Sequence, residues 1–227
     1  MSSSLSARLS FLRQHRGLVA LLSVGIVLPL FLFWKIAEDV YKHGGFWSDR
    51  LILTWLHAHS NPTLDLLALR FSSIGGPVVM AVLGVLLTLA FLIFRQRRSA
   101  LFFLLSLGGA VLLNILVKIV VQRQRPDLWI SLAPESDFSF PSGHAMGSVA
   151  LAAALTVLAW QTRWRWPVLI ITSMFALLVC WSRSYLGVHY PSDILAGMVA
   201  SLAWVGGLQL LFSKRRQELL DLFRRKL

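Results

Sequence analysis

The stretch SALFFLLSLGGAVLLNILVKIVV, residues 99–121, is an apolar run whose single ionisable residue, Lys118, lies near its end. An α-helix needs about 20 predominantly apolar residues to cross the hydrocarbon layer of a membrane, and this run is long enough. The whole chain has the same character, since its 227 residues are 56% hydrophobic and its mean hydropathy is +0.69. Such a composition is typical of membrane proteins. The sequence therefore predicts an all-α polytopic membrane protein.

Five further runs are long enough, or nearly long enough, to form membrane-spanning helices. The longest connection, residues 37–71, is too short to bury a core of its own, so we expect one integral-membrane domain over residues 1–227. Its segment FWSDRLILTWLHAHSNPTLDLLALRF, with a break at Asn61-Pro62, predicts two short helices in the headgroup region, which either admit lipid or serve only for packing. The six predicted spans are residues 99–121 and, approximately, residues 17–36, 72–94, 144–162, 166–186 and 193–213.

The N-terminal segment MSSSLSARLSFLRQHRG is basic and precedes an apolar run, which is also the pattern of a signal peptide. The run is too long for the hydrophobic region of a signal peptide, and no small-x-small cleavage site follows it. We therefore expect an uncleaved first span. Cys180 is the single cysteine of the sequence, so an intrachain disulfide is excluded.

The net charge of +12 is unevenly distributed along the chain. With a cytoplasmic N-terminus and six spans, 14 of the 22 Lys and Arg residues and only two acidic residues fall on the cytoplasmic side. The positive-inside rule thus predicts two cytoplasmic termini, with the connections after spans one, three and five facing outward. We interpret the basic residues as topology anchors beside anionic lipid, and we expect no nucleic-acid binding. They are Arg8, Arg13, Arg16, Arg95, Arg97, Arg98, Arg163, Arg165, Lys214, Arg215, Arg216, Arg224, Arg225 and Lys226.

Three clusters of ionisable residues lie at outward ends of predicted spans, where charge is costly and often functional. The first, KIVVQRQRP, holds Lys118 and Arg125 seven residues apart, which on a helix would place both cations on one face. Pro126 favours an end to the helix there, because a residue before proline is biased away from helical geometry. Taken alone, this pair fits a snorkelling lysine and an unrelated loop arginine equally well.

The second cluster is FSFPSGHAMGS, residues 138–148. Pro141, Ser142 and Gly143 fit the opening of a helix, where backbone N–H groups lack intrahelical acceptors and a phosphate oxygen is a natural partner. His144 would lie next to such an anion, although an ordinary helix cap gives the same pattern. The small residues that follow, beginning with Gly147, predict a tightly packed central helix.

The third cluster is SRSYLGVHYPSD, residues 182–193. His189 and Asp193 are four residues apart, so the carboxylate can hold one imidazole nitrogen and leave the other free to attack or to take a proton. Arg183 adds a planar donor fork suited to phosphate, and a charged interfacial loop is the simpler alternative. Together the clusters favour an anion, above all phosphate, over a metal ion. Three cations would oppose a divalent ion, and Asp193 is the one evident acidic ligand.

In chain order, Lys118-x6-Arg125-Pro126, Pro141-Ser142-Gly143-His144 and Ser182-Arg183-x5-His189-x3-Asp193 resemble the three-part signature of the type 2 phosphatidic acid phosphatase superfamily. The resemblance implies a phosphatase that needs neither metal nor cofactor and forms a phosphohistidine. It makes His189 the nucleophile and Asp193 the residue that orients it. His144 would protonate the leaving oxygen and later help to activate water. The resemblance assigns the binding of phosphoryl oxygens to Lys118, Arg125 and Arg183, with the Ser142 hydroxyl and the Gly143 amide.

Short bacterial lipid phosphatases of this superfamily fit the predicted layout best. The resemblance therefore implies a bacterial inner-membrane protein with a periplasm-facing site. Its substrate would be undecaprenyl pyrophosphate, phosphatidylglycerophosphate, phosphatidic acid or diacylglycerol pyrophosphate. Two alternatives stay open: a lipid phosphotransferase that uses the same intermediate, and an anion or lipid transporter. A transporter predicts charges through the depth of several spans, whereas these charges lie at one end.

Overall fold

The computed structural model describes residues 22–213, which form α-helices joined by loops, with no strand among them. The predicted all-α architecture is thus confirmed for this part of the chain. The basic termini, residues 1–21 and 214–227, on which the predicted topology largely depends, lie outside the described residues. A π-helical turn, Ser23–Val27, leads into α1 (Leu28–His43), followed by α2 (Ser48–Ala58), α3 (Pro62–Ile74), α4 (Pro77–Ile93), α5 (Arg97–Val121), α6 (Gly143–Ala159), α7 (Arg165–Tyr185) and α8 (Pro191–Phe212).

Among the described residues a helix lies at each predicted span, and residues 17–21 of the first span lie outside them. Three of these helices, α5, α7 and α8, are long and apolar enough to cross a membrane. The pair α3 and α4 is a further apolar candidate, bent by 47° at its break, and α6 is apolar but has only 17 residues. Helix α1 continues to His43, beyond the predicted end at residue 36. The protein is an integral membrane protein, and its six-span topology stays a prediction.

The predicted span 72–94 differs from the structure at its start, because α3 ends at Ile74 and α4 begins at Pro77. The break is at Gly75 and Gly76. A Cβ atom on Gly75 would lie 2.5 Å from the Val179 side chain of α7, so a glycine is needed for α3 to approach α7 this closely. Proline suits the first turn of a helix, where its missing N–H has no acceptor to bond.

Helix α6 is the centre of the bundle and packs against α5, α7 and α8. Ala145, Ala150 and Ala154 are fully buried along it, as the small-residue pattern predicted. Phe103 of α5 and Val205 of α8 pack into the same core cluster as Ala150. The N-terminus of α6, which carries the PSGH motif, is therefore held by its neighbours.

The two short helices predicted within residues 37–71 are present as α2 and α3. Trp47, Leu51 and Trp55 form an exposed row along α2, which suits an interfacial surface. The opposite side of α2 carries Asp49, which is 2% exposed. The side chain of Asn61 caps α3 by accepting the Leu64 N–H at 3.0 Å.

Candidate active site

The three sequence clusters meet at one cavity of about 550 Å³. Lys118 reaches it from the last turn of α5, His144 from the first turn of α6, and His189 from the loop between α7 and α8. Glu135 and Asp137, from the loop between α5 and α6, also line the cavity. The structure therefore brings together side chains that are separated by up to 71 residues in the sequence.

Lys118 and Arg125 lie close together, but they do not share a helix as predicted. Helix α5 ends at Val121, because Gln122 adopts a left-handed conformation with φ of 49°, so the prediction of one shared helical face is wrong. Arg125 instead lies in the following loop, where its Nε donates to the Asp137 carbonyl oxygen at 2.8 Å. Both cations nevertheless bond the carboxylate of Asp137.

Arg183, in the last turn of α7, is the most deeply buried of the three predicted phosphate-binding cations, at 1% exposure. Its Nη1 donates to Ser72 Oγ of α3, and its Nη2 donates to Glu135 Oε1. The other oxygen of Glu135 lies 2.6 Å from Arg125 Nη2. In this structure the carboxylates of Glu135 and Asp137 therefore form hydrogen bonds or ion pairs with all three cations.

The cationic surroundings determine the ionisation of Asp137. Partial burial opposes the charged form, but the hydrogen bonds and positive charges of Lys118 and Arg125 outweigh it and lower the pKa of Asp137 to about 2. Asp137 is therefore an anion at any physiological pH. The cations are arranged to hold negative oxygen atoms, whether from a carboxylate or a phosphate.

His189 and Asp193 are neighbours, as their spacing predicted, with 3.6 Å between Nδ1 and Oδ2. Asp193 Oδ2 also accepts the backbone N–H of Tyr190 at 2.9 Å, which anchors the carboxylate in the first turn of α8. The other ring nitrogen of His189, Nε2, lies 3.0 Å from Arg125 Nη1. Because a guanidinium can only donate, Nε2 is the acceptor and the proton of the neutral ring is on Nδ1, facing Asp193.

The imidazole of His189 is 1% exposed and lies among cations. Burial, together with the positive charges of Arg125 and Arg183, lowers the pKa of His189 well below its ordinary value of 6.5. A neutral ring with an unprotonated Nε2 is the state that a nitrogen nucleophile requires.

His144 lies across the cavity, with Nδ1 4.0 Å from Glu135 Oε1. Its ring also contacts the backbone of Ser72, the residue whose hydroxyl accepts from Arg183. The side chain is 7% exposed, so this second histidine is fixed in orientation. Two histidines thus border the region in which the cations converge.

The structure places Ser142 and Gly143 differently from each other. Gly143 lines the cavity, where a Cβ atom would lie 3.1 Å from Asn114 Oδ1. Ser142 is fully buried behind it: its N–H donates to the Asp193 carbonyl at 3.1 Å, and its hydroxyl accepts the Ala145 N–H at 3.4 Å. The acceptor of the Ser142 amide is thus a carbonyl of α8 and not of its own helix, and this N–H is not directed into the cavity.

Comparison of the chain with known proteins identifies its family. The sequence profile of the PAP2 superfamily matches residues 99–217, which include all three motifs. The chain belongs to the PAP2 superfamily.

Several relatives within the PAP2 superfamily are named as phosphatases. Phosphatidylglycerophosphatase B of Bacillus subtilis is 30% identical over 181 residues, which is 77% of this chain and 89% of that protein. An undecaprenyl-diphosphatase of Sulfolobus acidocaldarius is 34% identical over 119 residues, 50% of this chain and 55% of that protein. The crystal structure of a transmembrane PAP2 type phosphatidylglycerolphosphate phosphatase from Bacillus subtilis superposes with a TM-score of 0.75 at 27% identity, covering 83% of this chain and 97% of that one.

The sequence analysis missed three cavity residues of this PAP2 protein, Asn114, Glu135 and Asp137, and also Ser72, which bonds Arg183. Asn114 gave a signal, since it is a polar residue one helical turn before Lys118 in an apolar run, and its amide donates to the Pro141 carbonyl at 2.9 Å. Glu135 and Asp137 could also have been predicted as site residues, because they are acidic residues between the first two motifs. Ser72 gave no signal, because only the fold brings α3 against Arg183.

Glu135, His144 and His189 could in principle ligate a metal ion, since their ligand atoms lie within 4.8 Å of one another. These atoms already have other partners. Both oxygens of Glu135 bond arginine, and His189 Nε2 accepts from Arg125. A divalent ion would also face three neighbouring cations, so this donor set suits an anion better than a metal.

Proposed function

We propose that this PAP2 phosphatase hydrolyses a lipid phosphate or diphosphate through a phosphohistidine at His189. The observation that carries the proposal is the convergence of Lys118, Arg125 and Arg183 on two carboxylates beside the unprotonated Nε2 of His189. A phosphoryl group offers the same negative oxygen atoms as these carboxylates. Once it has displaced them, its phosphorus atom comes within reach of Nε2.

In the first step His189 Nε2 attacks phosphorus, the N–P bond forms and the bridging P–O bond breaks. His144 takes up a proton from solvent when the negative phosphoryl group binds beside it, and gives that proton to the leaving oxygen. The products are the phosphoenzyme and a lipid alcohol, or a lipid monophosphate where the substrate is a diphosphate. His189 keeps its Nδ1 proton, and Asp193 stabilises the positive charge that develops on the ring.

In the second step water attacks the phosphohistidine. His144, now neutral, takes a proton from the water as the new P–O bond forms and the N–P bond breaks, and inorganic phosphate leaves. Lys118, Arg125 and Arg183 neutralise the equatorial oxygens in both steps, which is the main requirement of phosphoryl transfer. The Gly143 amide is a further donor at the cavity wall, and Ser142 supports it from behind.

An apolar groove supports a lipid substrate. It has a volume of about 230 Å³, lies between α4, α5 and α6, and includes Met80, Leu107 and Gly147. Pro77 lines both this groove and the catalytic cavity, so the two are adjacent. A hydrocarbon chain in the groove would leave its phosphate headgroup at the cations. The relatives named for phosphatidylglycerophosphate and undecaprenyl diphosphate make these two lipids the first substrates to compare.

The test of the proposal is phosphate release by purified protein in EDTA, with labelled substrate and a quench that preserves phosphoenzyme. We expect activity without added metal, no turnover in His189→Ala, and label on wild-type protein that is stable to alkali and lost in acid. The matched control is His43→Ala, which removes an exposed histidine of α1. Retained turnover in His189→Ala would overturn the mechanism, and transfer of label to an added acceptor lipid would make the protein a phosphotransferase.

We also propose the six-span topology, with the cavity facing the periplasm of a bacterial inner membrane. The single native cysteine, Cys180, is buried, which makes accessibility easy to measure. In a Cys180→Ala background, a cysteine at Ser136, on the cavity rim, should react with a membrane-impermeant maleimide in intact cells. Labelling only after the inner membrane is broken would reverse the orientation and leave the enzymatic proposal unchanged.

A further inference from the structure

A buried polar cluster lies behind Asp193, outside the cavity lining and unused by the mechanism above. Its charged members are Arg123, 9% exposed, and Asp49, 2% exposed. The Arg123 guanidinium donates through Nη1 to Asp193 Oδ1 and through Nη2 to Asp49 Oδ2, the latter at 2.9 Å. Asp193 therefore has an arginine on one side and His189 on the other.

Arg123 holds one oxygen of Asp193, and the other oxygen faces the histidine. Oδ1 bonds Arg123, whereas Oδ2 accepts the Tyr190 N–H and lies 3.6 Å from His189 Nδ1. Because the carboxylate is planar, fixing Oδ1 also fixes the direction of Oδ2. The guanidinium itself is held by its packing on the Tyr190 ring, 4.0 Å from the ring centroid. It also compensates a buried charge that would otherwise be very unfavourable.

Asp49 fastens this pair to the start of α8. Its Oδ1 accepts the backbone N–H of Ser192 at 2.9 Å, and its Oδ2 accepts the Ser192 hydroxyl and the Phe46 N–H, the latter at 3.2 Å. Ser192 immediately precedes Asp193 in the chain. Helix α2, part of a segment whose role the sequence left open, is thus bonded to the residue beside Asp193.

We propose that Arg123 and Asp49 are positioning residues that hold Asp193 with its Oδ2 towards His189. The inference rests on the proposed function, in which His189 keeps its Nδ1 proton while Nε2 attacks phosphorus. An Asp193 that rotates, or that takes a proton, no longer presents a negative oxygen to His189 Nδ1. His189 then loses both its orientation and the stabilisation of its developing charge.

The backbone at Gly45 packs against the Arg123–Asp49 pair, and the neighbouring Gly44 offers a comparison variant. It has a φ of +120°, and a Cβ atom there would lie 2.0 Å from Arg123 Nη2 and 2.6 Å from Asp49 Oδ2. Gly44 also has a positive φ, +77°, but no atom lies within 4 Å of its Cβ position. Replacement of either glycine by alanine therefore strains the backbone, but only Gly45→Ala collides with the Arg123–Asp49 pair. The Gly44 carbonyl also accepts from Arg123 Nη2, so Gly44→Ala controls for backbone strain beside Arg123 without a side-chain collision.

The experiment is to measure kcat and KM separately, in full-length protein, for Arg123→Gln, Arg123→Lys, Asp49→Asn, Gly45→Ala and Gly44→Ala. We expect Arg123→Gln and Asp49→Asn to lower kcat by about 10–100-fold, the usual effect of losing a residue that supports a catalytic group. KM should change less than about threefold, because neither side chain lines the cavity. Arg123→Lys should recover part of kcat, and Gly45→Ala should lower kcat at least about fivefold more than Gly44→Ala.

A double-mutant cycle with Asp193→Asn separates positioning from general destabilisation. If Arg123 acts through Asp193, Arg123→Gln should lower kcat less than about twofold further in the Asp193→Asn background. Thermal unfolding in detergent identifies any variant that is not folded, and the Gly45 and Gly44 pair then decides the question.

The inference is overturned by a folded Arg123→Gln or Gly45→Ala variant with wild-type kcat, or by a full additional loss in the Asp193→Asn background. These outcomes differ from a failure of the proposed function. If His189→Ala stays active, the phosphohistidine mechanism fails. If His189→Ala is inactive while Arg123→Gln has wild-type kcat, only the positioning role fails.

Discussion

Lys118 and Arg125 bond the same carboxylate, that of Asp137, although α5 ends between them. Glu135 joins Arg125 to Arg183 in the same way. The loop between α5 and α6 thus supplies negative oxygen atoms where the proposed mechanism requires phosphoryl oxygens. A substrate has to displace these carboxylates before His189 can attack.

Removal of the Asp137 charge should therefore improve substrate binding. Asp137→Asn leaves a neutral side chain that competes less well for Lys118 and Arg125, so we expect KM to fall by about 3–10-fold, which corresponds to roughly one ordinary hydrogen bond. Inhibition by inorganic phosphate should strengthen by a similar factor. The measurement is steady-state kinetics on one short-chain lipid phosphate.

Asp127→Asn is the control, because it changes the same charge at an exposed position of the same loop. An increase in KM for Asp137→Asn would mean that Asp137 organises the cations rather than competing with the substrate.

The pKa of Asp137, about 2 against an ordinary value of 3.8, also has a consequence for stability. The ion pairs stabilise the fold fully above pH 3.8, and this contribution is lost as the pH falls through about 2.

The neutral state of His189 should be visible in the pH dependence of kcat/KM. Because burial, Arg125 and Arg183 lower its pKa well below 6.5, the ring stays unprotonated through mildly acidic pH. Arg125→Gln removes one of these positive charges, so the pKa should rise and the acid limb should move to higher pH. Folding stability should decrease as the pH falls below 6.5, since the unfolded histidine takes a proton that the buried ring does not.

The readout is the ratio of kcat/KM for wild type to that for Arg125→Gln at each pH, because both enzymes meet the same ionisation of the substrate. We expect this ratio to grow as the pH falls. A ratio that is constant with pH would mean that Arg125 does not affect the ionisation of His189.

Ser72 should contribute to substrate binding through Arg183. Its hydroxyl accepts from Arg183 Nη1, and the side chain is 6% exposed. Ser72→Ala leaves this buried donor without its acceptor, which costs about 1–2 kcal/mol and should lower kcat/KM by about 5–30-fold. Ser73→Ala removes the same hydroxyl from an exposed neighbour and should have no effect. Equal activities of the two variants would contradict a role for Ser72.

Gly197 should be required for the position of the PSGH motif. A Cβ atom on this residue of α8 would lie 2.8 Å from the Ser142 carbonyl oxygen, whereas no atom lies within 4 Å of the corresponding position on Gly207. We expect Gly197→Ala to destabilise the protein by about 1–3 kcal/mol through overpacking and to lower kcat. Gly207→Ala, on the same helix, should change neither. Thermal unfolding in detergent and a kinetic assay measure both effects, and an unchanged melting temperature for Gly197→Ala would show that α6 and α8 separate easily.

The spacing of His189 and Asp193 led correctly from sequence to structure, because His189 immediately precedes the N-cap residue of α8 and Asp193 lies in its first turn. Two residues so close in the chain at a helix start are brought together by local backbone geometry. The same reasoning failed for Lys118 and Arg125. Their spacing also predicts a shared helical face, but Gln122 turns left-handed and ends α5, so that the loop rather than the helix directs Arg125. The acceptor of the Ser142 amide, the Asp193 carbonyl, could not be predicted from the sequence either, because it comes from a helix 51 residues further along the chain.

The sequence by itself determined the membrane character, the helices at the predicted spans and the three motifs, since apolar length and short-range spacing are local properties of the chain. Only the tertiary structure decided which side chains surround them. Ser72 and Asp49 become partners of the site because α3 packs against α7, and α2 against α7 and α8. Arg123 reaches it from the loop after α5, and contacts between such distant segments have no local pattern. The burial that keeps His189 neutral is likewise a property of the packed helices and not of any one segment.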